Sequence, residues 1–225
     1  MDILWFLQRR LRFISDLYDT AIAPFQETMR KIEAGEEPFI DGRDPEYASE
    51  PAFLNEYLEA HDSVEVLGQW CLCMVHASLK AFLEEYVAEM ARDYRSSLHD
   101  LSTRLGAKKG KSGFERYRLL FLEDLYIDWA KGPVKLAELE QINLTRDDLI
   151  HNVDVTTNAV YKNDKHAERH PEGLFTDEMW ANMGMPTKIK VDREQLTNAL
   201  NIVDSFCAWL EGIRLRYREH VKALA

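Results

Sequence analysis

The chain has few of the residues that interrupt regular structure, with ten glycines and seven prolines among 225 residues. It also has only three cysteines, Cys71, Cys73 and Cys207, whose number and spacing fit neither a disulfide framework nor a metal site. Such sparse cysteine is typical of a reducing compartment, so a cytoplasmic location is expected. Apolar residues make up 46% of the chain and charged residues 30%, which indicates a folded globular protein.

Basic residues are outnumbered, 28 against 39 acidic ones, and the resulting net charge of −11 repels a polyanion at long range. A nucleic acid would therefore have to bind at a local basic patch. Long apolar runs are also missing, because the longest uncharged stretch, residues 66–79, has 14 residues. A bilayer span needs roughly 18 to 20, so this stretch is expected to be a buried helix, with no membrane association.

Apolar residues recur every three or four positions along most of the chain, which is the spacing of amphipathic helices. One such stripe covers residues 4–32 and crosses Pro24, which is expected to kink or interrupt the helix. Residues 67–90 predict the central and most buried helix, preceded by a capping box of Asp62 and Glu65.

The second half of the chain predicts three more helices. One runs over residues 114–129, the next over 134–152 after a Gly-Pro break, and the last begins at a capping box of Asp192 and Gln195.

No linker divides residues 1–225, and no sheet is indicated. Four to five long helices therefore predict a single all-α domain, a helical bundle with an irregular or short extended segment before the C-terminal helix.

The most specific motif is the arginine and histidine in RDDLIHN, residues 146–152. An Arg and a His separated by four residues occur by chance in many helical proteins, so the spacing alone is weak. In context, LEQINLTRDDLIHNVDV resembles the signature of the HEPN family (higher eukaryote and prokaryote nucleotide-binding domain), and the order of helices is similar over residues 60–215. The matching positions are an arginine, an acid, an apolar pair and a histidine: Arg146, Asp147, Leu149, Ile150 and His151.

This resemblance implies a metal-independent endoribonuclease without a cofactor, in which the 2′-OH of the RNA attacks the neighbouring phosphate. His151 is expected to be the general base and Arg146 to stabilise charge on the phosphate, roles that suit an imidazole and a guanidinium. Asp147 either orients the His151 ring or is a solvated helix acid. Asn152 either binds phosphate or ribose, or marks the end of the helix.

Arg146 and His151 do not line one stripe of a helix, because five residues turn it by about 140°. HEPN ribonucleases form dimers that bring two motifs to a shared cleft, so the resemblance implies a homodimer with RNA as its substrate. An antitoxin or defence-system protein would be a further partner. Toxin members of the family carry a tyrosine where this chain has Val153, which puts control by tyrosine AMPylation in doubt.

Two clusters of basic residues are candidate contacts for the RNA backbone. The first either binds RNA or is a solvated loop, and it consists of Lys108, Lys109, Lys111 and Arg116, with Arg118 beside them. The second consists of Arg214, Arg216, Arg218 and Lys222.

Several other features have plainer interpretations. GAKKGKS, residues 106–112, is one residue short of a phosphate-binding loop and follows a helix, so a nucleotide triphosphatase is not predicted. His166 and His170 are interpreted as loop residues rather than metal ligands, and no metal site is expected. The tryptophans are interpreted as core or dimer contacts rather than as platforms that stack on bases: Trp70, Trp129, Trp180 and Trp209.

The sequence therefore predicts a HEPN-type endoribonuclease with a toxin, phage-defence or stress role. An alternative is a non-cleaving HEPN-like adaptor that binds RNA, a nucleotide or a protein, for which the acidic charge balance and the missing tyrosine leave room. A third interpretation is a purely structural dimerisation domain.

Overall fold

The computed structural model describes residues 2–43, 50–93, 98–107, 114–151, 174–175 and 188–223. Within these residues the chain forms six α-helices and one short 3₁₀ helix, and no strand, so the predicted all-α helical bundle is confirmed. The α-helices are α1 (Ile3–Ala34), α2 (Leu54–Asp93), α3 (Leu98–Ala107), α4 (Glu115–Asp124), α5 (Leu136–His151) and α6 (Arg193–Ala223), and the 3₁₀ helix is Trp129–Lys131.

Helix α1 follows the predicted stripe. Its buried residues, spaced by three or four, are Ile3, Leu7, Leu11, Ile14, Tyr18 and Ile22. The helix begins at Asp2, whose carboxylate accepts a hydrogen bond from the Trp5 amide at 2.9 Å, and ends at Gly35 with a left-handed φ of 63°. Pro24 lies inside this continuous helix, so the predicted interruption was wrong, and the alternative of a kink stays a prediction. The packing of the apolar face against α2 outweighs the one backbone hydrogen bond that proline cannot donate.

Helix α2 is the central element, because it packs against α1, α3, α5 and α6. Asp62 and Glu65 lie inside it, so the predicted capping box was wrong. Glu65 instead forms an ion pair with Lys188 at 2.5 Å. Among the described residues, α2 is the one helix with the length and hydropathy of a membrane span, and 56% of its most apolar window is buried inside the protein.

The predicted helix over residues 114–129 is shorter than expected. Helix α4 ends at Asp124, and Tyr126 then adopts a left-handed φ of 56° that a helix does not accommodate. The Asp128 carboxylate accepts a hydrogen bond from the Ala130 amide at 3.0 Å and so begins the 3₁₀ helix. The ring of Trp129 packs edge-on against Phe121 and Phe206, which joins this turn to the core.

Helix α6 begins as predicted. The Asp192 carboxylate accepts from the Gln195 amide and the Gln195 side chain accepts from the Asp192 amide, both at 3.0 Å, which is a complete capping box. Further along, the Tyr86 hydroxyl donates to the Leu210 carbonyl at 2.9 Å and so ties α6 to α2.

The second predicted basic patch is partly wrong, because Arg214 is 1% exposed and therefore cannot contact RNA. Its guanidinium forms ion pairs with Glu211 at 2.5 Å on α6, and with Glu89 at 3.0 Å and Asp93 at 3.3 Å on α2. Arg216 is exposed.

The chain just before α6 lies directly on α2 at Gly68. A Cβ added there would lie 2.9 Å from the carbonyl carbon of Val191 and closer still to its oxygen. The neighbouring Gln69 side chain donates to the Ile189 carbonyl at 3.0 Å. This close approach of two backbones requires a residue without a side chain.

Gly68→Ala is therefore expected to lower the free energy of unfolding by about 2 to 3 kcal/mol, because the clash with backbone outweighs the roughly 1 kcal/mol of helix propensity gained. Urea unfolding followed by circular dichroism measures the difference. The matched control is Gly212→Ala in α6, where the nearest atom to the new Cβ would be 3.8 Å away, and this variant should be slightly more stable. Equal effects at both positions would contradict the close-packing explanation.

Candidate functional site

Helix α5 carries the predicted motif, and its buried side is unusually polar. Gln141, Asn143, Thr145 and Asp148 are all at most 4% exposed. Within α5, the exposed residues are Ile150 and His151, at the last turn of the helix. The part of α5 that solvent reaches most is therefore the end that carries the predicted general base.

Arg146 and Asp147 form one unit on the surface of α5. The Arg146 Nη1 atom donates a hydrogen bond to Asp147 Oδ1 at 2.8 Å, and the two side chains are 33% and 37% exposed. A guanidinium held in this way has a defined position and remains partly accessible to a ligand. Orientation of the His151 ring by Asp147 stays a prediction.

Asn143, one turn before Arg146 and Asp147, links α5 to α2. Its Oδ1 atom lies 3.1 Å from His76 Nε2, a hydrogen-bonding distance. His76 is 8% exposed, and its ring packs against Phe114 with 5.3 Å between centroids. The Asn143 Nδ2 atom is buried and has no hydrogen-bond partner among the described residues.

The surroundings of His76 favour the neutral imidazole. Burial lowers its pKa below the ordinary value, and the positive charges of Arg146 and Lys80 act in the same direction. The hydrogen bond with Asn143 and the negative charge of Asp147 oppose that change but do not reverse it. The pKa of His76 therefore depends on the charges of Arg146 and Asp147 on α5.

This lowered pKa predicts a pH dependence of stability. Because the folded state binds a proton at His76 less readily than the unfolded chain, stability should be complete above about pH 6.5 and fall as the pH drops below it. His76→Gln should therefore lose less free energy of unfolding than the wild type as the pH falls from about 7.5 to 5. The check is urea unfolding at several pH values, with His61→Gln at an exposed histidine as the control. An unchanged pH profile in His76→Gln would contradict the prediction.

The sequence missed His76 and Asn143 as neighbours of the motif. A lone histidine within the apolar stretch of α2 looks like an ordinary core residue. The one available signal was the inward-facing asparagine of α5, since buried amides need polar partners.

The other predicted site residues are only partly described. Arg116 is half-buried at the start of α4, with a buried Nε atom that has no hydrogen-bond partner among the described residues, and its RNA contact stays a prediction. Arg118 forms an ion pair with Glu115 at 2.7 Å. The remaining predictions lie outside the described residues, at Lys108, Lys109, Lys111, Asn152, Val153, His166, His170 and Trp180.

The tryptophans divide between core and surface. Trp129 is 2% exposed and belongs to the core as predicted, and Trp209 packs partly buried against it. Trp70 is 64% exposed, so a core role for it was wrong. A dimer contact through Trp70 stays a prediction.

One group of potential metal ligands exists among the described residues. His61, Asp62 and Glu65 have ligand atoms within 4.8 Å of one another on α2. Because Glu65 is already paired with Lys188, this group is assigned no metal.

Comparisons of the chain with protein-family models, with curated proteins and with solved structures found no match.

Proposed function

We propose that the protein is a metal-independent endoribonuclease of the HEPN type, acting in the cytoplasm in a toxin, phage-defence or stress role. The observation that carries the proposal is the position of the motif on α5. His151 lies in the exposed last turn, and the partly exposed pair Arg146–Asp147 lies one turn before it.

The proposed reaction uses the RNA as its own nucleophile. His151 takes the proton of a 2′-OH, whose oxygen attacks the adjacent phosphorus and displaces the 5′-oxygen of the next nucleotide, which takes up a proton from water as it leaves. Arg146 neutralises the negative charge that gathers on the phosphate oxygens. The products are a 2′,3′-cyclic phosphate and a free 5′-hydroxyl.

A homodimer is part of the proposal. Arg146 and His151 are about 140° apart around α5, so in one protomer they lie on different sides of the helix. Two protomers that face each other would supply an arginine and a histidine to one cleft. They would also bring two guanidinium groups to one cleft, where a phosphate can bind locally despite the net charge of −11 on each chain.

The direct test is incubation of the purified protein with total RNA and transfer RNA in the presence of EDTA. Cleavage is expected, with 2′,3′-cyclic phosphate ends, and a matched RNA carrying 2′-O-methyl groups should stay intact because it has no nucleophile. Light scattering should give the mass of a dimer, twice 26.2 kDa.

Intact unmodified RNA would contradict the nuclease proposal for these substrates. Binding of RNA without cleavage would favour the adaptor. Cleavage of the 2′-O-methyl RNA would show that a different nucleophile acts.

A further inference from the structure

Helix α2 presents an exposed face beside α5 that the proposed reaction does not use. Trp70, Cys73, Ala77 and Lys80 recur at spacings of three and four residues, so they follow one side of the helix. Trp70 is 64% exposed, Ala77 and Lys80 are exposed, and Cys73 is half-buried. This face, called the α2 strip below, is about 15 Å long.

The helix that carries the α2 strip packs against α5 close to the motif turn. His76 of α2 is 3.1 Å from Asn143 of α5, and Arg146 follows Asn143 by three residues on the same helix. The electrostatics agree with this geometry, since burial raises the pKa of the Cys73 thiol while the positive charge of Arg146 opposes that rise. Arg146 therefore lies about one turn along α5 from the point where this helix contacts α2.

Lys80 supplies a second cation at the far end of the strip. Its Nζ atom is 3.9 Å from the Glu84 carboxylate, and both side chains are more than half exposed, 55% and 56%. An exposed pair of this kind is weak, so a phosphate group can replace the carboxylate as the partner of Lys80.

We propose that the α2 strip binds unpaired nucleotides, with Trp70 stacking on a base and Lys80 and Arg146 contacting phosphates. Its ligand class, RNA, rests on the proposed function. Proteins hold single strands with exposed aromatic rings for the bases and cations for the phosphates, and the α2 strip carries Trp70 and Lys80 about 15 Å apart with the small side chain of Ala77 between them. Bases inside a duplex are already stacked, so unpaired RNA should bind more tightly.

The test is the binding of a fluorescent single-stranded oligonucleotide with 2′-O-methyl groups, measured by anisotropy with the full chain. Trp70→Ala should weaken binding about tenfold or more, and Trp70→Phe should retain most of the affinity because it keeps an aromatic face. Lys80→Gln should weaken binding and reduce the slope of log affinity against log salt by about one. A fully paired hairpin should bind less tightly than the single strand.

Two variants on α1 are matched controls. Trp5→Ala removes a tryptophan that is 44% exposed and has Arg9 over its ring, and Lys31→Gln removes a lysine whose Nζ atom is also 3.9 Å from a glutamate. Both should bind like the wild type. Equal losses at α1 and α2 would overturn the proposal, because binding would then depend on charge and aromatic content alone.

Dimerisation is measured in parallel by light scattering. If Trp70→Ala turns dimers into monomers, Trp70 is a contact between copies and the nucleotide-binding role is overturned. If the wild type binds no oligonucleotide, the proposal that the α2 strip binds nucleotides is overturned as well. Cleavage of unmodified RNA is scored separately, so failure of the strip and failure of the nuclease proposal give different results.

Discussion

His151→Ala is expected to slow RNA cleavage by roughly 10²- to 10⁴-fold, the usual contribution of a positioned general base. Without the imidazole, the 2′-OH must lose its proton to water. Because His151 is exposed at the end of α5, its removal should leave the core and the stability of the fold unchanged. The loss would then report on the chemistry rather than on folding.

Arg146→Ala tests the second role at the same site and should cost roughly 10²- to 10³-fold, as expected for loss of a charge-stabilising donor. Arg146→Lys should recover only part of this, because lysine keeps the charge but lacks the planar fork that binds two phosphate oxygens. Asp147 would lose its partner in Arg146→Ala, but because its side chain is 37% exposed the free energy of unfolding should change little.

The controls are His61→Ala and Arg12→Ala, which remove an exposed histidine from α2 and an exposed arginine from α1. Both should cleave at the wild-type rate. Initial rates on a labelled RNA, with circular dichroism and light scattering for each variant, complete the measurement. Full activity in His151→Ala or Arg146→Ala would refute the role assigned to that residue, even if the wild type is a nuclease.

The second large effect concerns stability. Arg214→Met should lower the free energy of unfolding by about 3 to 5 kcal/mol, because it removes the buried cation to which Glu211, Glu89 and Asp93 are all paired. Glu211 accepts from Arg214 at both Nε and Nη2, while Nη1 donates to Glu89 and Asp93 across the interface with α2. Urea unfolding at neutral pH gives the change directly.

Arg216→Met is the matched control, two residues along α6 and exposed, and it should change stability by less than about 0.5 kcal/mol. A further variant that replaces Arg214, Glu211 and Glu89 together with apolar residues should regain much of the loss, since the two most buried carboxylates are removed together with their cation. A small effect of Arg214→Met alone would contradict the ion-pair account.

The long helices were predictable because their signals are local and repeated. The stripe of α1 and the capping box at Asp192 and Gln195 each depend on residues a few positions apart, and both were found in the structure. The same local logic failed at Asp62 and Glu65, because an acid three residues after another also occurs inside helices. Only the contacts of α2 along its whole length decide where it begins.

The surroundings of the motif were harder to predict, because they depend on how helices distant in sequence pack together. Nothing near His76 in the sequence indicates a bond to Asn143, which lies 67 residues away. Arg214 was misinterpreted for a related reason, since a run of basic residues suggests a surface. Residues 214 and 216 nevertheless point about 160° apart on a helix, and the stripe through Cys207 and Leu210 carries Arg214 into the core.

The polar inner side of α5 has a mechanical consequence. Apolar contacts are non-directional, so a helix that packs only through leucines can rotate or slide by small amounts with little change in free energy. Hydrogen bonds act only over a narrow range of angles and distances. The hydrogen bond between Asn143 and His76 therefore fixes the rotation and the register of α5 relative to α2. The side chains at the exposed end of α5 therefore point in a fixed direction relative to α2.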